Sequence, residues 1–226
     1  MDQIIGLYNQ GQLKPTVSLA ESLAKQHPNA LILYDILGAA YMGLKNADKT
    51  IESYQKLLRL NPKHTDAYNN MGMALYDQGR FDEAEKNYQK AVKLEPNFAD
   101  AHYNLGNALK QTGNLKQAIV SYKASLAINP NDSDVLLNYG NALKDKGDLD
   151  EALGKFKQVI KNSPDYAEAY NSMGNALQEK GDLDEAINAY KQAIKVKPEY
   201  AEAYSNMGNA LQEKGDLDEA INAYKQ

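Results

Sequence analysis

The sequence predicts an all-α protein, an elongated array of stacked helix pairs. Stretches beginning at Leu31, Thr65, Ala99, Ser133, Ala167 and Ala201 align at a period of 34 residues without an insertion. Glycine occupies the eighth position of every stretch, and proline occupies position 32 of every complete one. Helical repeats of this length bury their apolar faces against their neighbours and present extended binding surfaces.

The period divides the chain into repeats that we expect to form one continuous array. The predicted bounds are a partial repeat over 1–30, complete repeats over 31–64, 65–98, 99–132, 133–166 and 167–200, and a shortened repeat over 201–226. Leu7, Gly11, Ala20 and Pro28 keep the spacing, so the first thirty residues should form one short helix and one full second helix. Because the sequence stops within a second helix, we expect either a longer parent protein or a partner that covers this end.

The 167–200 repeat shows why each element should form. Tyr170, Met173, Gly174 and Leu177 make one stripe of an amphipathic first helix, with Gly174 opposite the small Ala186 of the second helix. Gly181 should end the first helix because glycine accepts the left-handed conformation of a C-terminal cap.

The second helix should begin at Asp182, with Glu185 completing a capping box. It should end just before Pro198, because proline disfavours helical geometry in the preceding residue. In the 31–64 repeat, Lys45 stands where the turn glycine is expected and Gly43 comes two residues early, so a looser turn is predicted there.

Composition excludes several classes of function. The formal net charge is −5 with acids and bases interspersed, which disfavours nucleic acid as a partner. There is no cysteine, and no apolar run approaches the length of a secretion signal or membrane span. His27, His64 and His102 lie far apart in the array, and glycines recur singly, so neither a metal, a cofactor nor a catalytic site is expected. A cytoplasmic, non-enzymatic protein is the expectation.

The repeat has glycine and alanine at the small positions, an aromatic residue at positions 4 and 24 and proline at position 32. This is the pattern of the tetratricopeptide repeat family, which the chain resembles from Leu31 to Gln226. The resemblance implies a right-handed superhelical solenoid of antiparallel helix pairs. It also implies that the first helices line a concave groove that binds a peptide or an extended protein segment. His102 and Leu136 depart from the pattern, because both replace the aromatic residue of the first helix.

The second, sixth, ninth and thirteenth positions of each first helix should face this groove. Asparagine recurs at the sixth position as Asn70, Asn104, Asn138 and Asn206, and at the ninth as Asn107, Asn141, Asn175 and Asn209. Asparagine is a poor helix former, so binding is a plausible reason for its presence. The rows resemble the asparagine ladder of the O-linked N-acetylglucosamine transferases, in which amides hold substrate chains. Alternatively, the amides tie one repeat to the next.

Acidic and apolar residues should flank the amides. The acids are Asp66, Asp100, Asp134 and Glu168 at the second position, with Asp77 and Asp145 at the thirteenth. The helix dipole explains acids at a helix start, but it does not explain those at the thirteenth position. Met73, Tyr76 and Tyr103 make the N-terminal half of the groove more apolar, so a hydrophobic anchor could dock there.

These features predict a non-enzymatic interaction module that binds a basic or neutral extended protein segment in its groove. Two alternatives remain at this stage. The array could be the substrate-recognition arm of a larger enzyme such as a glycosyltransferase. It could also be a structural scaffold that self-associates end to end through its terminal repeats, since residues 167–192 and 201–226 match at 24 of 26 positions.

Overall fold

The computed structural model of the chain describes residues 2–225, and within that range it contains fourteen α-helices and no strand. The predicted all-α class is therefore confirmed. No helix in the described part of the chain is long and apolar enough to cross a membrane.

The helices form two compact units. The first unit, Met1–Asn114, contains α1 to α7, and the second, Leu115–Gln226, contains α8 to α14. The helices of the first unit are α1 (Asp2–Asn9), α2 (Leu13–Gln26), α3 (Leu31–Gly43), α4 (Ala47–Leu60), α5 (Thr65–Asp77), α6 (Phe81–Leu94) and α7 (Ala99–Gln111). Those of the second unit are α8 (Leu115–Ile128), α9 (Ser133–Lys146), α10 (Leu149–Asn162), α11 (Ala167–Lys180), α12 (Leu183–Val196), α13 (Ala201–Lys214) and α14 (Leu217–Tyr224).

Within each unit, every helix packs against the helix before it and the helix after it. The turns that join them are short, which makes consecutive helices antiparallel. The predicted short first helix and full second helix of residues 1–30 are present as α1 and α2, with Ile4 and Ala20 fully buried.

The glycine at the eighth repeat position makes room for an aromatic ring and not, as expected, for the small alanine of the second helix. A Cβ atom added at Gly174 would lie 2.5 Å from Cε1 of Tyr190, whose side chain is fully buried. Gly72 faces Tyr88 and Gly140 faces Phe156 at similar distances. The alanines are buried nearby, but the ring and the glycine define how closely the two helices of a repeat approach.

The turn within the repeat differs from the predicted capping box. Gly181 ends α11 in the left-handed conformation as expected, with φ of 89°. Asp182 precedes α12, but its side chain accepts no cap hydrogen bond. The Asp182 N–H, which the Glu185 half of a capping box would use, already donates to the Leu177 carbonyl at 2.9 Å. Glu185 therefore has no free cap N–H to reach, so that half of the capping box does not form.

The prediction of a looser turn at Lys45 is wrong. Lys45 adopts φ of 56°, the left-handed region that glycine occupies in the other turns. Its N–H donates to the Met42 carbonyl at 2.9 Å, and the Asn46 N–H donates to Tyr41 at 2.9 Å. The turn that contains Gly79 makes the same two bonds. The backbone hydrogen bonds thus hold the turn in one shape even though a lysine in this conformation is strained.

Polar side chains at the end of the first helices tie neighbouring repeats together. Lys180 donates to Asp150 at 2.8 Å, and Lys214 lies 2.9 Å from Asp184. In the first unit, Gln78 donates to the Oδ1 atom of Asp48 at 2.7 Å. Each donor lies thirty residues after its acceptor. The same link between repeats is therefore made by lysine in the second unit and by glutamine in the first.

Candidate peptide-binding face

The first helices of each unit lie side by side and form a surface that we call the first-helix face. In the first unit it is built by α3, α5 and α7, and in the second unit by α9, α11 and α13. All of the side chains predicted to line a groove lie on these helices because the repeat returns the same positions to the same helix face every 34 residues.

In the first unit, the sixth-position amides are bonded to the array itself. Asn70 donates from Nδ2 to the hydroxyl of Tyr54 at 3.2 Å. Asn104 donates to Oδ1 of Asn69 at 3.0 Å, which joins α7 to α5. Asn69 is only 5% exposed, and its own amide lies 3.7 Å from the sulfur of Met73. Each bond uses one of the four hydrogen-bonding sites of an asparagine amide.

The same face is rich in carboxylates without counter-ions. Asp66, Asp77 and Asp100 are exposed, and none makes a side-chain hydrogen bond or ion pair in the described structure. Burial raises the pKa of Asp35. The charge of Asp66 also raises this pKa, whereas His64 lowers it. Lys110 is the single lysine or arginine in α3, α5 and α7. This face therefore has an unneutralised negative charge.

Apolar groups accompany these acids. Met73 is 38% exposed, and the ring of Tyr76 packs edge-on against Phe81 with centroids 5.0 Å apart. Tyr103 and Asn107 are half-buried on α7. Between the ends of α3 and α5 lies an open cleft of about 470 Å³, whose lining includes Met42, Lys45 and Asp77.

In the second unit, the ninth-position amides accept hydrogen bonds from tyrosines. The Tyr190 hydroxyl donates to Oδ1 of Asn175 at 2.8 Å, and the Tyr224 hydroxyl donates to Oδ1 of Asn209 at 2.7 Å. Burial raises the pKa of Tyr190, so this hydroxyl stays a donor. Asn138 and Asn141 are half-buried on α9.

A sixth-position amide of the second unit also joins two repeats. Asn206 donates from Nδ2 to Oδ1 of Asn171 at 3.0 Å. Asn171 is 3% exposed and donates in turn to Glu202 at 3.1 Å. This arrangement matches the Asn104 and Asn69 pair of the first unit.

A second row of bonds lies near the C-terminal ends of these helices. Lys144 donates to Glu179 at 3.1 Å and lies 3.1 Å from Asp145. Burial lowers the pKa of Lys144, but the bonds to Asp145 and Glu179 outweigh this effect and raise it. Gln178 donates to Glu213 at 3.0 Å. A shallow cleft of about 530 Å³ is lined by Lys144, Asn175, Gln178, Glu179, Asn206 and Glu213.

The second-position acids of this unit have local partners. Asp134 accepts a hydrogen bond from the Tyr166 hydroxyl, and Glu168 accepts one from Lys197 at 3.3 Å. The two units therefore differ. Second-position acids are neutralised or hydrogen-bonded in the second unit, whereas Asp66 and Asp100 of the first unit are not.

Sequence reasoning did not predict the contacts of four residues that shape these faces. Asn69 and Asn171 occupy the fifth position and accept from the sixth-position amide of the next repeat, and Lys144 and Gln178 reach the following repeat from the twelfth. A usable signal was the spacing of 35 residues between each donor and acceptor, one repeat plus one residue, with complementary polar groups at both ends.

Profiles of one known repeat family match most of the chain. A profile described as TPR repeat matches residues 72–113, 140–181 and 174–215. Profiles described as tetratricopeptide repeat match residues 32–64, 53–86, 99–132 and 121–154. The chain belongs to the tetratricopeptide repeat family.

Several solved tetratricopeptide structures share the fold. A repeat-containing protein from Cytophaga hutchinsonii has a TM-score of 0.79 at 19% identity, covering 99% of this chain and 92% of that one. YrrB, described as a TPR protein with an unusual peptide-binding site, has a TM-score of 0.72 at 23% identity, covering 87% of this chain and 97% of its own. MamA has a TM-score of 0.69 at 27% identity, covering 73% and 96%. No curated protein matches the sequence.

Proposed function

We propose that this tetratricopeptide array is a non-enzymatic interaction module that binds an extended, basic or neutral protein segment on its first-helix faces. The observation that carries the proposal is the set of exposed carboxylates without counter-ions, Asp66, Asp77 and Asp100, beside the exposed side chain of Met73. Unneutralised acids next to an apolar group suit a lysine- or arginine-containing segment that also carries an apolar anchor.

The amides are proposed to hold the backbone of the bound segment. The bonds of Asn70, Asn104 and Asn206 within the array fix the orientation of each amide before binding, while an amide has further donor and acceptor sites. The same amide can therefore tie one repeat to the next and also bind a ligand. Four or five amide contacts at about 1 kcal/mol each would give roughly 5 kcal/mol, short of the ~8 kcal/mol of a micromolar complex. The acids and the apolar patch must supply the rest.

Peptide binding to charge variants tests this proposal. Three labelled peptides of equal length would carry lysine, asparagine or glutamate around one central leucine, and fluorescence polarisation would measure their affinities at low salt. We expect the lysine peptide to bind at least about tenfold more tightly than the glutamate peptide. The double variant Asp66→Lys, Asp77→Lys should weaken the lysine peptide by roughly tenfold.

The matched control is the double variant Asp82→Lys, Glu95→Lys, which makes the same change in net charge at exposed positions at the start and end of α6. This control should keep the affinity of the native array. Met73→Ala should weaken all three peptides, and N-methylation of the peptide backbone should weaken them further if amides hold it. Equal affinity for the glutamate peptide would exclude the proposed groove chemistry.

A second candidate function is assembly with further copies through α14. Leu217 and Ile221 on that helix are 59% and 51% exposed, whereas the equivalent Ile187 of α12 is buried against α13. An apolar helix face of this kind fits the first helix of a second copy. Light scattering would show a mass that rises with concentration and returns to the monomer value in Ile221→Glu. A constant monomer mass in the native chain would exclude it.

A further inference from the structure

A cleft of about 290 Å³ in the first unit is lined by residues of α2, α3 and α4. Ala24, Tyr34 and Leu37 form its floor, and the charged side chains of Glu21, Lys25 and Glu52 stand at its rim. Its lining contains none of the asparagine, acidic or apolar residues assigned to the proposed peptide-binding face, although Tyr34, Leu37 and Tyr41 belong to α3.

The cleft has a cause in the sequence. Ala24 occupies repeat position 28, where every other repeat that reaches this position carries a branched aliphatic residue: Leu58, Val92, Leu126, Ile160 and Ile194. Leu58 is buried, and Leu126 and Ile160 pack against the buried cluster of Leu136, Val159 and Ala169. Ala24 lacks the atoms beyond Cβ that these residues carry. The cleft therefore lies where a leucine or isoleucine side chain would extend from this position.

Of the charged side chains around the cleft, Glu52 forms ion pairs with Lys49 and Lys56, whereas Glu21 is hydrogen-bonded only to a neutral hydroxyl. The Tyr41 hydroxyl donates to Glu21 at 2.5 Å, and burial together with this carboxylate raises the pKa of Tyr41 to about 12. Glu52 accepts from Lys49 at 2.8 Å and from Lys56 at 3.0 Å. Lys25 makes neither a hydrogen bond nor an ion pair among the described residues. One ammonium group is therefore available at the edge of an apolar hollow.

We propose that this cleft is a second binding site, which takes a leucine or isoleucine side chain of a partner protein with a carboxylate next to it. The aliphatic group replaces the side chain that Ala24 lacks, and the carboxylate pairs with Lys25. Charged residues one helical turn apart on both ridges, Glu21 and Lys25 on α2 and Glu52 and Lys56 on α4, give the site a polar rim around an apolar centre. This is the usual anatomy of a small anchoring pocket.

Nuclear magnetic resonance titration tests the site with a minimal probe, the capped dipeptide acetyl-Leu-Asp-amide. Saturable shifts of the amides around Ala24, Leu37 and Ser53 are expected in the range of roughly 10 mM or below. The probe acetyl-Ala-Asp-amide should bind about tenfold more weakly, because it buries less apolar surface. The probe acetyl-Leu-Asn-amide should bind about threefold more weakly, because it lacks the charge that pairs with Lys25.

Two variants separate the site from non-specific binding. Ala24→Leu restores the residue type of the other repeats, so it should fold at least as stably and should lose the saturable shifts. Lys25→Gln should bind the Asp and Asn probes equally. The absence of saturable shifts in the native chain, unchanged binding to Ala24→Leu or a persistent preference for Asp in Lys25→Gln would overturn the proposal. The double variant Asp66→Lys, Asp77→Lys should bind these probes normally, which distinguishes this site from the proposed peptide-binding face.

Discussion

Asn206 donates a hydrogen bond from its side-chain nitrogen to the side-chain oxygen of Asn171, over 3.0 Å and across two repeats. Asn171 is buried, and its own nitrogen reaches Glu202 at 3.1 Å. A buried amide keeps its neighbours in register because an unpaired polar group in that position is costly. The Asn104 and Asn69 pair repeats the arrangement in the first unit, also at 3.0 Å.

The first prediction concerns this amide pair. Asn171→Ala should destabilise the packing of α11 and α13 by about 1 to 3 kcal/mol, because it removes three hydrogen bonds from a buried site. Asn206→Ala should cost about 1 kcal/mol, and the double variant should show a coupling of about 1 kcal/mol. Hydrogen exchange of α13 amides measures these changes. Asn188→Ala, at an exposed position of α12, is the control and should change stability by less than about 0.5 kcal/mol. Strictly additive effects would show that the pair is not coupled.

The second prediction concerns the contact of Gly174 with Tyr190. The alanine methyl group of Gly174→Ala would lie 2.5 Å from the buried ring, so one of the two helices must shift. We expect a loss of about 1 to 3 kcal/mol in the free energy of unfolding, measured by urea denaturation.

Gly154→Ala is the matched control for that substitution. Gly154 lies in the middle of α10, and a Cβ atom there meets nothing within 4 Å. Alanine is the better helix former by about 1 kcal/mol, so this variant should be more stable than the native chain. If both substitutions shifted stability in the same direction, the close approach of Gly174 and Tyr190 would not limit the packing.

The fold was largely predictable because the same helix-ending and packing residues recur in each repeat. Gly181 at the end of α11 and Pro198 after α12 mark helix ends by local backbone chemistry, and the structure follows both. The Glu185 half of the capping box at Asp182 failed as a prediction because the backbone N–H of Asp182 has two possible partners and donates to the Leu177 carbonyl. Choosing between two such partners requires the three-dimensional path of the preceding turn.

The candidate site was predictable only by position on a helix. The sixth and ninth positions were assigned to the groove from helical periodicity, and their amides do lie on the first helices. Whether Asn175 faces a ligand or the hydroxyl of Tyr190 depends on a contact between two helices, and a single-helix projection contains no such information. The contacts that Asn69 and Asn171 accept were missed for the same reason, since the donating amide comes from the next repeat.

The third prediction concerns Lys45, the one described residue other than glycine with a positive φ, at 56°. Lys45→Gly should stabilise the first unit by roughly 0.5 to 1 kcal/mol, because glycine adopts this conformation without a steric penalty from a Cβ atom. The reverse change in the second unit, Gly181→Lys at φ of 89°, should destabilise by about 1 kcal/mol. Urea denaturation of both variants measures the pair. A loss of stability in Lys45→Gly would mean that the lysine side chain makes a stabilising interaction that outweighs the strain.

The fourth prediction concerns the pH dependence of Glu52. Hydrogen bonds from Lys49 and Lys56 lower the pKa of Glu52 to about 2 in the folded chain, while an unfolded glutamate titrates near about 4.3. Because the folded value is the lower one, the stabilisation is complete above pH 5 and is lost as pH falls towards 2. The side chain of Glu52 is nearly half exposed, so solvent screening limits the contribution to less than about 1 kcal/mol. Glu52→Gln should therefore be slightly less stable than the native chain at pH 7 and equally stable near pH 2, as measured by urea denaturation across this range.

Glu85→Gln, on α6 and without an ion pair in the described structure, should follow the native pH profile. A difference between Glu52→Gln and the native chain that stays constant down to pH 2 would contradict the assigned role of the two lysines.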